Sequence, residues 1–249
     1  MALLPFPLGL LLFVLGASLG SFGNVLIARM PAELGIGGRS RCPRCGVQLA
    51  AWQLIPLVSF GLLRGRCAGC KERISLQYPL VELASAALFV GAGVHVGGDL
   101  LLAVLLGIAL WLLLVISIID ARTARIPDAL NLPIIVAALA YAIAHEAIPF
   151  SAVAVGTGFL GTQWIVSRGK WMGSGDVLLI TGIAFLLPDW RAMIIALGVA
   201  YILGSLFACV LLLQRKKSHA DTLAFGPFLA VGGMAAVFFG DAALAIFLQ

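Results

Sequence analysis

The sequence predicts an all-α polytopic membrane protein of about eight transmembrane helices, interrupted by one small polar insert. Of its 249 residues, 62% are hydrophobic and 11% are charged, whereas soluble domains average about 45–50% apolar and about 25% charged residues. A folded soluble protein needs more polar surface than this composition supplies, so lipid is the expected solvent. The apolar residues also form runs of about 20 residues, the length that crosses a bilayer.

Eight apolar runs are interpreted as membrane spans. The sixth is short, so we expect it to begin with backbone that lines a cavity. No basic residue precedes the first run, which continues to Ile27 and therefore indicates a retained helix and not a cleaved signal peptide. The predicted spans are Leu8–Ala28, Pro79–Gly97, Leu100–Ile119, Leu130–Ile148, Ser151–Ser167, Val177–Leu187, Met193–Leu213 and Phe225–Leu248.

The basic residues predict the orientation of these spans. With the N-terminus outside, 15 of the 16 Lys and Arg residues fall in inner loops, and only Arg191 lies outside. This asymmetry is the one that the positive-inside rule predicts, and it favours eight spans over seven. The same distribution explains the net charge of +5, so nucleic acid is not expected as a partner. The expected surroundings are the lipid bilayer.

The one long polar stretch between spans is predicted to be a separate cytoplasmic domain. It lies between the first and second spans, is too long for a turn, and carries four of the five cysteines. The predicted organisation is a first transmembrane helix over residues 1–28, the cysteine-bearing insert over 29–77, and the remaining membrane domain over 78–249.

The four cysteines of the insert form two C-x-x-C pairs separated by 21 residues, a spacing close to that of paired zinc knuckles. A tight two-residue gap allows both thiolates of a pair to bind one tetrahedral ion. Four reduced thiols or two redox pairs are the alternatives, and a catalytic zinc is disfavoured because four sulfur ligands leave no open position. Gly46 and Gly69 suit the turns. The predicted ligands of this zinc-ribbon-like insert are Cys42, Cys45, Cys67 and Cys70.

Two aspartates at the cytoplasmic edge of the membrane are candidate catalytic residues. Asp120 ends the third span and Asp176 precedes the sixth, so the topology puts both at one depth although 56 residues separate them. Acids at the edge of a span are functional candidates, and two carboxyl groups in one partly dry site tend to share a proton, as in aspartyl proteolysis. The alternative is that Asp120 is a loop acid beside Arg122 and Asp176 a helix N-cap.

Other residues near these acids are candidates for supporting roles. Gly173 and Gly175 precede Asp176 and are expected to permit unusual backbone conformations and close approach. Asp128 is expected to be the N-cap of the fourth span. Glu82 lies about one turn into the second span and is expected either to pair with loop arginines, to face the active-site cavity, or to be a capping or interfacial acid.

Six motifs, in this order, resemble those of the bacterial type IV prepilin peptidases, which are G-x-G-D aspartyl proteases. Any one of them is weak, but six in order with a matching topology are specific. The resemblance covers nearly the whole chain, from Gly16 to about Gly240. The motifs are Gly20–Val25, the two C-x-x-C pairs, Ile74–Glu82, Asp120 with Ile126–Asp128, Gly173–Asp176, and Phe225–Ala230.

The resemblance implies a bacterial inner-membrane enzyme with two activities, its active site facing the cytoplasm and both termini periplasmic. The first activity is cleavage of the leader of prepilins or pseudopilins, with Asp120 and Asp176 as the catalytic pair. The second is methylation of the new N-terminus with S-adenosylmethionine, associated in the family with the inserted region. A transporter or a pilin-binding scaffold remains the alternative. The chain departs from the family pattern at Trp52, Gln53 and Leu178.

Overall fold

A computed structural model describes residues 4–214 and 223–247. Within these residues the chain is helical, with two short 3₁₀ turns and two isolated β-bridges in the insert. The α-helices are α1 (Phe6–Arg29), α2 (Val58–Leu62), α3 (Gln77–His95), α4 (Leu100–Thr123), α5 (Asp128–Ala144), α6 (Phe150–Ser167), α7 (Ser174–Ala184), α8 (Trp190–Leu213) and α9 (Gly226–Phe247).

The all-α fold is confirmed, and each predicted span overlaps one helix. Among the described residues, four segments are long and apolar enough to cross a membrane, namely Phe6–Ala32, Gln77–His95, Leu100–Thr123 and Trp190–Leu213. At about 1.5 Å per residue, the 11 residues of α7 are too short for the roughly 30 Å of a bilayer core. The count of eight spans therefore stays a prediction. Arg215, Lys216, Lys217 and Leu248, used in the topology and span predictions, lie outside the described residues.

The chain divides into two compact units, one up to Gly107 and one from Ile108, so the boundary falls within α4. In the first unit α1 packs against α3. Glycines on α1 allow this close approach: a Cβ on Gly16 would lie 2.7 Å from the carbonyl oxygen of Ser85, and one on Gly20 would lie 2.6 Å from the Cα of Glu82. Small residues at helix contacts are the usual means by which membrane helices pack. The predicted division at residues 28 and 77 stays a prediction.

Glu82 attaches the insert to α3. Its side chain is buried, and its Oε2 accepts a hydrogen bond of 2.8 Å from the backbone N–H of Leu57, which precedes α2. Leu57 has φ 61° and ψ −46°, a sparsely populated conformation that costs on the order of 1–3 kcal/mol. The hydrogen bond to Glu82 stabilises the insert in this conformation.

In the second unit, α5 packs on α7, α6 on α7 and α8, and α8 on α9. A Cβ on Gly182 of α7 would lie 3.3 Å from Ile134 of α5, so these helices approach closely. The start of α8 is fixed by Asp189, whose Oδ1 accepts hydrogen bonds from the N–H groups of Arg191 and Ala192. Such a cap contributes about 1 kcal/mol. This packing positions the start of α7, where Asp176 lies, and the start of α9.

Candidate active site and metal site

Asp120 lies in the last turn of α4 and is 4% exposed. Its Oδ2 accepts a hydrogen bond of 2.8 Å from the backbone N–H of Gly226, the first residue of α9. The first N–H groups of a helix have no partner within the helix and carry partial positive charge. The start of α9 is therefore a suitable donor for a buried carboxyl group.

Gly226 must lack a side chain for this contact to form. A Cβ at this position would lie 2.7 Å from Oδ2 of Asp120, which is too close for any real Cβ contact. Glycine here therefore determines where the Asp120 carboxyl group lies, although it follows Asp120 by 106 residues in sequence.

Asp176 lies in the first turn of α7 and is half-buried. Its Oδ2 accepts a hydrogen bond of 3.1 Å from the backbone N–H of Gly173, the N-cap of the helix. Asp176 is thus the third helical residue and bonds back to the cap, and its interpretation as the N-cap itself is wrong. Its carboxyl group interacts electrostatically with that of Asp120. The structure therefore brings the two predicted acids together.

Neither of the two glycines before Asp176 has an unusual backbone conformation, and one of them allows a neighbouring segment to pack closely. Gly173 has an ordinary extended conformation, with φ −77° and ψ 153°, and Gly175 is a helical residue of α7. A Cβ on Gly175 would lie 3.0 Å from the Cβ of Ile126. The expected close approach is thus present at Gly175, against the segment that leads into α5.

Asp128 and Glu82 differ from what the sequence predicts. Helix α5 begins at Asp128 and its N-cap is Pro127, so Asp128 is the first helical residue and not the predicted N-cap. An acid in the first turn still interacts favourably with the positive end of the helix. Glu82 accepts hydrogen bonds from the backbone N–H of Leu57 and from the side chain of Ser21, and not from a loop arginine of the described residues. Supporting roles of Asp128 and Glu82 in catalysis stay predictions.

A cleft of about 610 Å³ adjoins the contact between Asp120 and Gly226. The residues that follow each of them, Ala121 and Pro227, both line it. Its other lining residues are Arg122, Thr123, Ala124, Phe207, Leu211, Leu223, Ala224 and Phe228. The cleft therefore combines apolar walls with one cationic side chain, next to a buried acid.

Sequence reasoning missed two features of this site. The segment Phe225–Ala230 was noted only as a motif, and nothing local indicates that the N–H of Gly226 binds an acid. The second is Tyr201 in α8, whose hydroxyl interacts electrostatically with Asp176. The only signal for Tyr201 is a polar group within an apolar span, which alone has many explanations.

The four cysteines of the insert form one cluster. Their Sγ atoms all lie within 4.8 Å of one another, and those of Cys42 and Cys70 are 3.9 Å apart. Four thiolates at about 2.3 Å from a tetrahedral zinc lie about 3.8 Å apart. The donor set and its spacing therefore fit a zinc ion.

Each C-x-x-C pair lies in the same kind of backbone turn. The N–H of Cys42 bonds to the carbonyl of Val47 and the N–H of Cys67 to that of Glu72, both at 2.9 Å. The residue after each second cysteine has a positive φ, 70° at Gly46 and 61° at Lys71. The expectation for Gly46 is thus met, whereas the second turn uses Lys71 and not Gly69.

Backbone N–H groups also lower the pKa of one thiol in the cluster. Those of Cys45 and Arg44 point at the sulfur of Cys42 and lower the pKa of that thiol to about 6. The thiolate is the form that binds metal. The Cys42 thiol therefore loses its proton more readily than a free thiol, whereas burial and the neighbouring thiols raise the pKa of Cys70 to about 11.

Comparison with known proteins identifies the family. Residues 14–96 match the bacterial peptidase A24 N-terminal domain, and residues 107–209 match the type IV leader peptidase family. A prepilin leader peptidase/N-methyltransferase of Aeromonas salmonicida is 31% identical, over 93% of this chain and 90% of that protein. The chain belongs to the type IV leader peptidase family. No solved structure matches it.

Proteins with the same name from two other organisms are also similar to this chain. That of Pseudomonas putida is 32% identical over 92% of this chain and 89% of its own length. That of Burkholderia pseudomallei is 34% identical over 91% of this chain and 84% of its own length. Membership of the type IV leader peptidase family favours an enzyme over the transporter or scaffold considered from the sequence.

We predict that purified protein contains about one equivalent of zinc, because four thiolates form one closed tetrahedral site. Replacement of Cys42 and Cys45 by serine should remove the metal and lower the thermal unfolding temperature of the insert, whose small core depends on it. Metal analysis and thermal unfolding in detergent measure both effects. The matched control is Cys209→Ser, a cysteine of α8 outside the cluster. A metal-free wild-type protein with an ordered insert would contradict the prediction.

Proposed function

We propose that this member of the type IV leader peptidase family is a membrane aspartyl endopeptidase that removes the leader of prepilins or pseudopilins at the cytoplasmic side. Asp120 and Asp176 are its catalytic pair. The observation that carries this proposal is the interaction between two carboxyl groups that are each anchored by a backbone N–H. The names of the relatives support the substrate class.

The reaction needs one carboxylate and one carboxylic acid. The carboxylate takes a proton from a water molecule as the water oxygen bonds to the carbonyl carbon of the scissile peptide, and the acid gives its proton to the carbonyl oxygen. As the C–N bond of this tetrahedral intermediate breaks, one of its hydroxyl groups gives its proton to the carboxylate of the pair, and the leaving nitrogen takes a proton from the acid. Two carboxyl groups whose charges interact favour this state because both do not readily ionise together.

The hydrogen bonds to the backbone orient the pair for this step. Oδ2 of Asp120 bonds to Gly226 and Oδ2 of Asp176 to Gly173. In each carboxyl group the other oxygen, Oδ1, is then available for water and substrate. Catalytic groups held in place before the reaction lower the barrier because they need no reorganisation.

The substrate is proposed to approach from the membrane. A prepilin must present an extended peptide bond, since a helix shields its backbone. The cleft beside Asp120 has mostly apolar walls and one cation, Arg122, which suits a locally unwound segment. Apolar helices and the family support a multi-pass protein of the bacterial inner membrane. The distribution of basic residues supports the proposed orientation, with the active site cytoplasmic and both termini periplasmic.

The second proposed activity is methylation of the new N-terminus. The relatives are named prepilin leader peptidase/N-methyltransferase, which supports it. The methyl donor implied by the family is S-adenosylmethionine, and no side chain of the described residues is assigned to it. Zinc held by Cys42, Cys45, Cys67 and Cys70 is proposed to be structural, since four sulfur ligands leave no position for substrate.

Asp120→Asn and Asp176→Asn should each lower leader cleavage at least about 1,000-fold, because an amide supplies neither proton-transfer role. The assay is cleavage of a prepilin in detergent or proteoliposomes. Asp189→Asn makes the same chemical change at the cap of α8 and should retain activity, because asparagine also caps helices. Near-normal cleavage by a folded Asp120 or Asp176 variant would remove that residue from the mechanism.

Gly226→Ala should lower cleavage by about 100-fold, since the added methyl group displaces the Asp120 carboxyl group and such misplacement has effects of this size. The matched control is Gly198→Ala on α8, where a Cβ meets nothing within 4 Å. Steady-state kinetics measure both variants, after thermal unfolding has shown equal folding. Equal activity of the two variants would show that the Gly226 contact does not orient Asp120.

The two activities should be separable. Replacement of Cys42 and Cys45 by serine should impair methylation more than cleavage, if the insert forms the methyl-transfer site. Conversely, Asp176→Asn should still methylate a pilin supplied without its leader. Transfer of labelled methyl groups and leader cleavage are measured on equal amounts of folded protein, because zinc loss also destabilises the insert. Equal loss of both activities in folded cysteine variants would show that the insert also forms the peptidase site.

A further inference from the structure

Helices α6 and α8 of the second unit are joined by a pair of polar side chains, Gln163 and Tyr201. The side-chain nitrogen of Gln163 lies 2.9 Å from the hydroxyl oxygen of Tyr201, and its side-chain oxygen lies 3.0 Å from it. Both side chains are half-buried. Polar groups within apolar helices are costly and are functional candidates, so the surroundings of this pair bear on its role.

The ring of Tyr201 packs against the segment that supports Asp120. It meets the ring of Phe225 edge-on, with the centroids 5.0 Å apart. One turn later on α8, a Cβ on Gly204 would lie 3.2 Å from the same phenylalanine ring. Phe225 directly precedes Gly226, whose N–H binds Asp120. Tyr201 therefore contacts the segment that orients one acid of the pair.

The hydroxyl end of the pair lies near the other acid. A Cβ on Gly161 of α6 would lie 4.0 Å from Val177, so α6 passes the first turn of α7 two residues before Gln163. The hydroxyl of Tyr201 interacts electrostatically with Asp176. Tyr201 thus packs on the segment that supports Asp120, and its hydrogen-bond partner Gln163 lies on the helix that passes the first turn of α7, where Asp176 lies.

We propose that Tyr201 is a third catalytic residue of the peptidase site, whose phenol O–H donates a hydrogen bond to the carbonyl oxygen of the scissile peptide bond. Gln163 is the positioning residue that orients this hydroxyl. The inference rests on the proposed peptidase function and adds a residue to that site.

The chemistry explains why a phenol suits this position. When water adds to the carbonyl carbon, negative charge develops on the carbonyl oxygen until that oxygen is protonated, and a donor placed there stabilises the transition state. Tyr201 donates a hydrogen bond and keeps its proton, so the balance of protons within the acid pair is unchanged. If Gln163 donates through its nitrogen to the phenol oxygen, the phenol proton remains available to the substrate.

The alternative is that Gln163 and Tyr201 only join two helices. Interhelical hydrogen bonds of this kind are common in membrane proteins and stabilise them modestly. A purely structural pair would change stability when removed but would not change the turnover of folded enzyme. Kinetics and unfolding measurements therefore distinguish the two roles.

The first test is Tyr201→Phe in the full-length protein with a prepilin substrate. The ring and its packing on Phe225 remain, and only the hydroxyl is lost. We expect kcat to fall on the order of 100-fold, as for the loss of one such donor, with KM changed less than about threefold. Tyr141→Phe is the matched control, because it removes a phenol hydroxyl from a buried tyrosine of α5 and should retain wild-type kcat.

The second test is Gln163→Leu, alone and combined with Tyr201→Phe. If Gln163 acts through Tyr201, the single variant lowers kcat by less than Tyr201→Phe does, and the double variant is no worse than Tyr201→Phe alone. Additive losses in the double variant would overturn the positioning role of Gln163.

The outcomes separate this inference from the proposed function. Wild-type kcat in folded Tyr201→Phe, or a loss explained by a lower unfolding temperature alone, would overturn the role of Tyr201 while prepilin cleavage by the wild type still stands. Absence of prepilin cleavage by the wild type would overturn the proposed function and this inference with it.

Discussion

The structure depends on one constraint, which is that a carboxyl group buried among apolar helices needs a hydrogen-bond donor. A buried polar group without a partner costs about 1–3 kcal/mol, and more when charged. Three half-buried or buried acids meet this need in the same way, with a backbone N–H at the start of a helix. The pairs are Asp120 with Gly226, Asp176 with Gly173, and Glu82 with Leu57.

The first N–H groups of a helix are suitable donors because they have no partner within the helix. They also carry the partial positive charge of its N-terminal end. The donor is part of the backbone, so its position is set by helix packing and not by the rotamer of another side chain. Glycine at two of the three donors keeps that approach free of a Cβ, most clearly at Gly226. The packing of the helices therefore also determines where the acids lie within each unit.

The sequence predicts the residue types of the site better than their contacts. The apolar runs and the distribution of basic residues predict one membrane depth for Asp120 and Asp176, which stays a prediction. The doubled C-x-x-C spacing predicts the cluster of four thiols that the structure shows. The donor Gly226 was not predicted because its contact with Asp120 spans 106 residues and leaves no local pattern. The residue that forms the second cysteine turn was not predicted either, because Lys71 adopts a positive φ that residue preferences assign to glycine.

The long sequence separation between Asp120 and Gly226 affects how the protein is made. Asp120 lies in the last turn of α4, whereas Gly226 begins α9, the last helix among the described residues. A growing chain that has inserted only its first helices contains Asp120 without its donor. The acid pair is therefore assembled only after translation has passed α9, and a protein truncated before this helix has an unsatisfied acid at its centre. Biosynthesis itself thus delays the activity until the whole membrane domain is present.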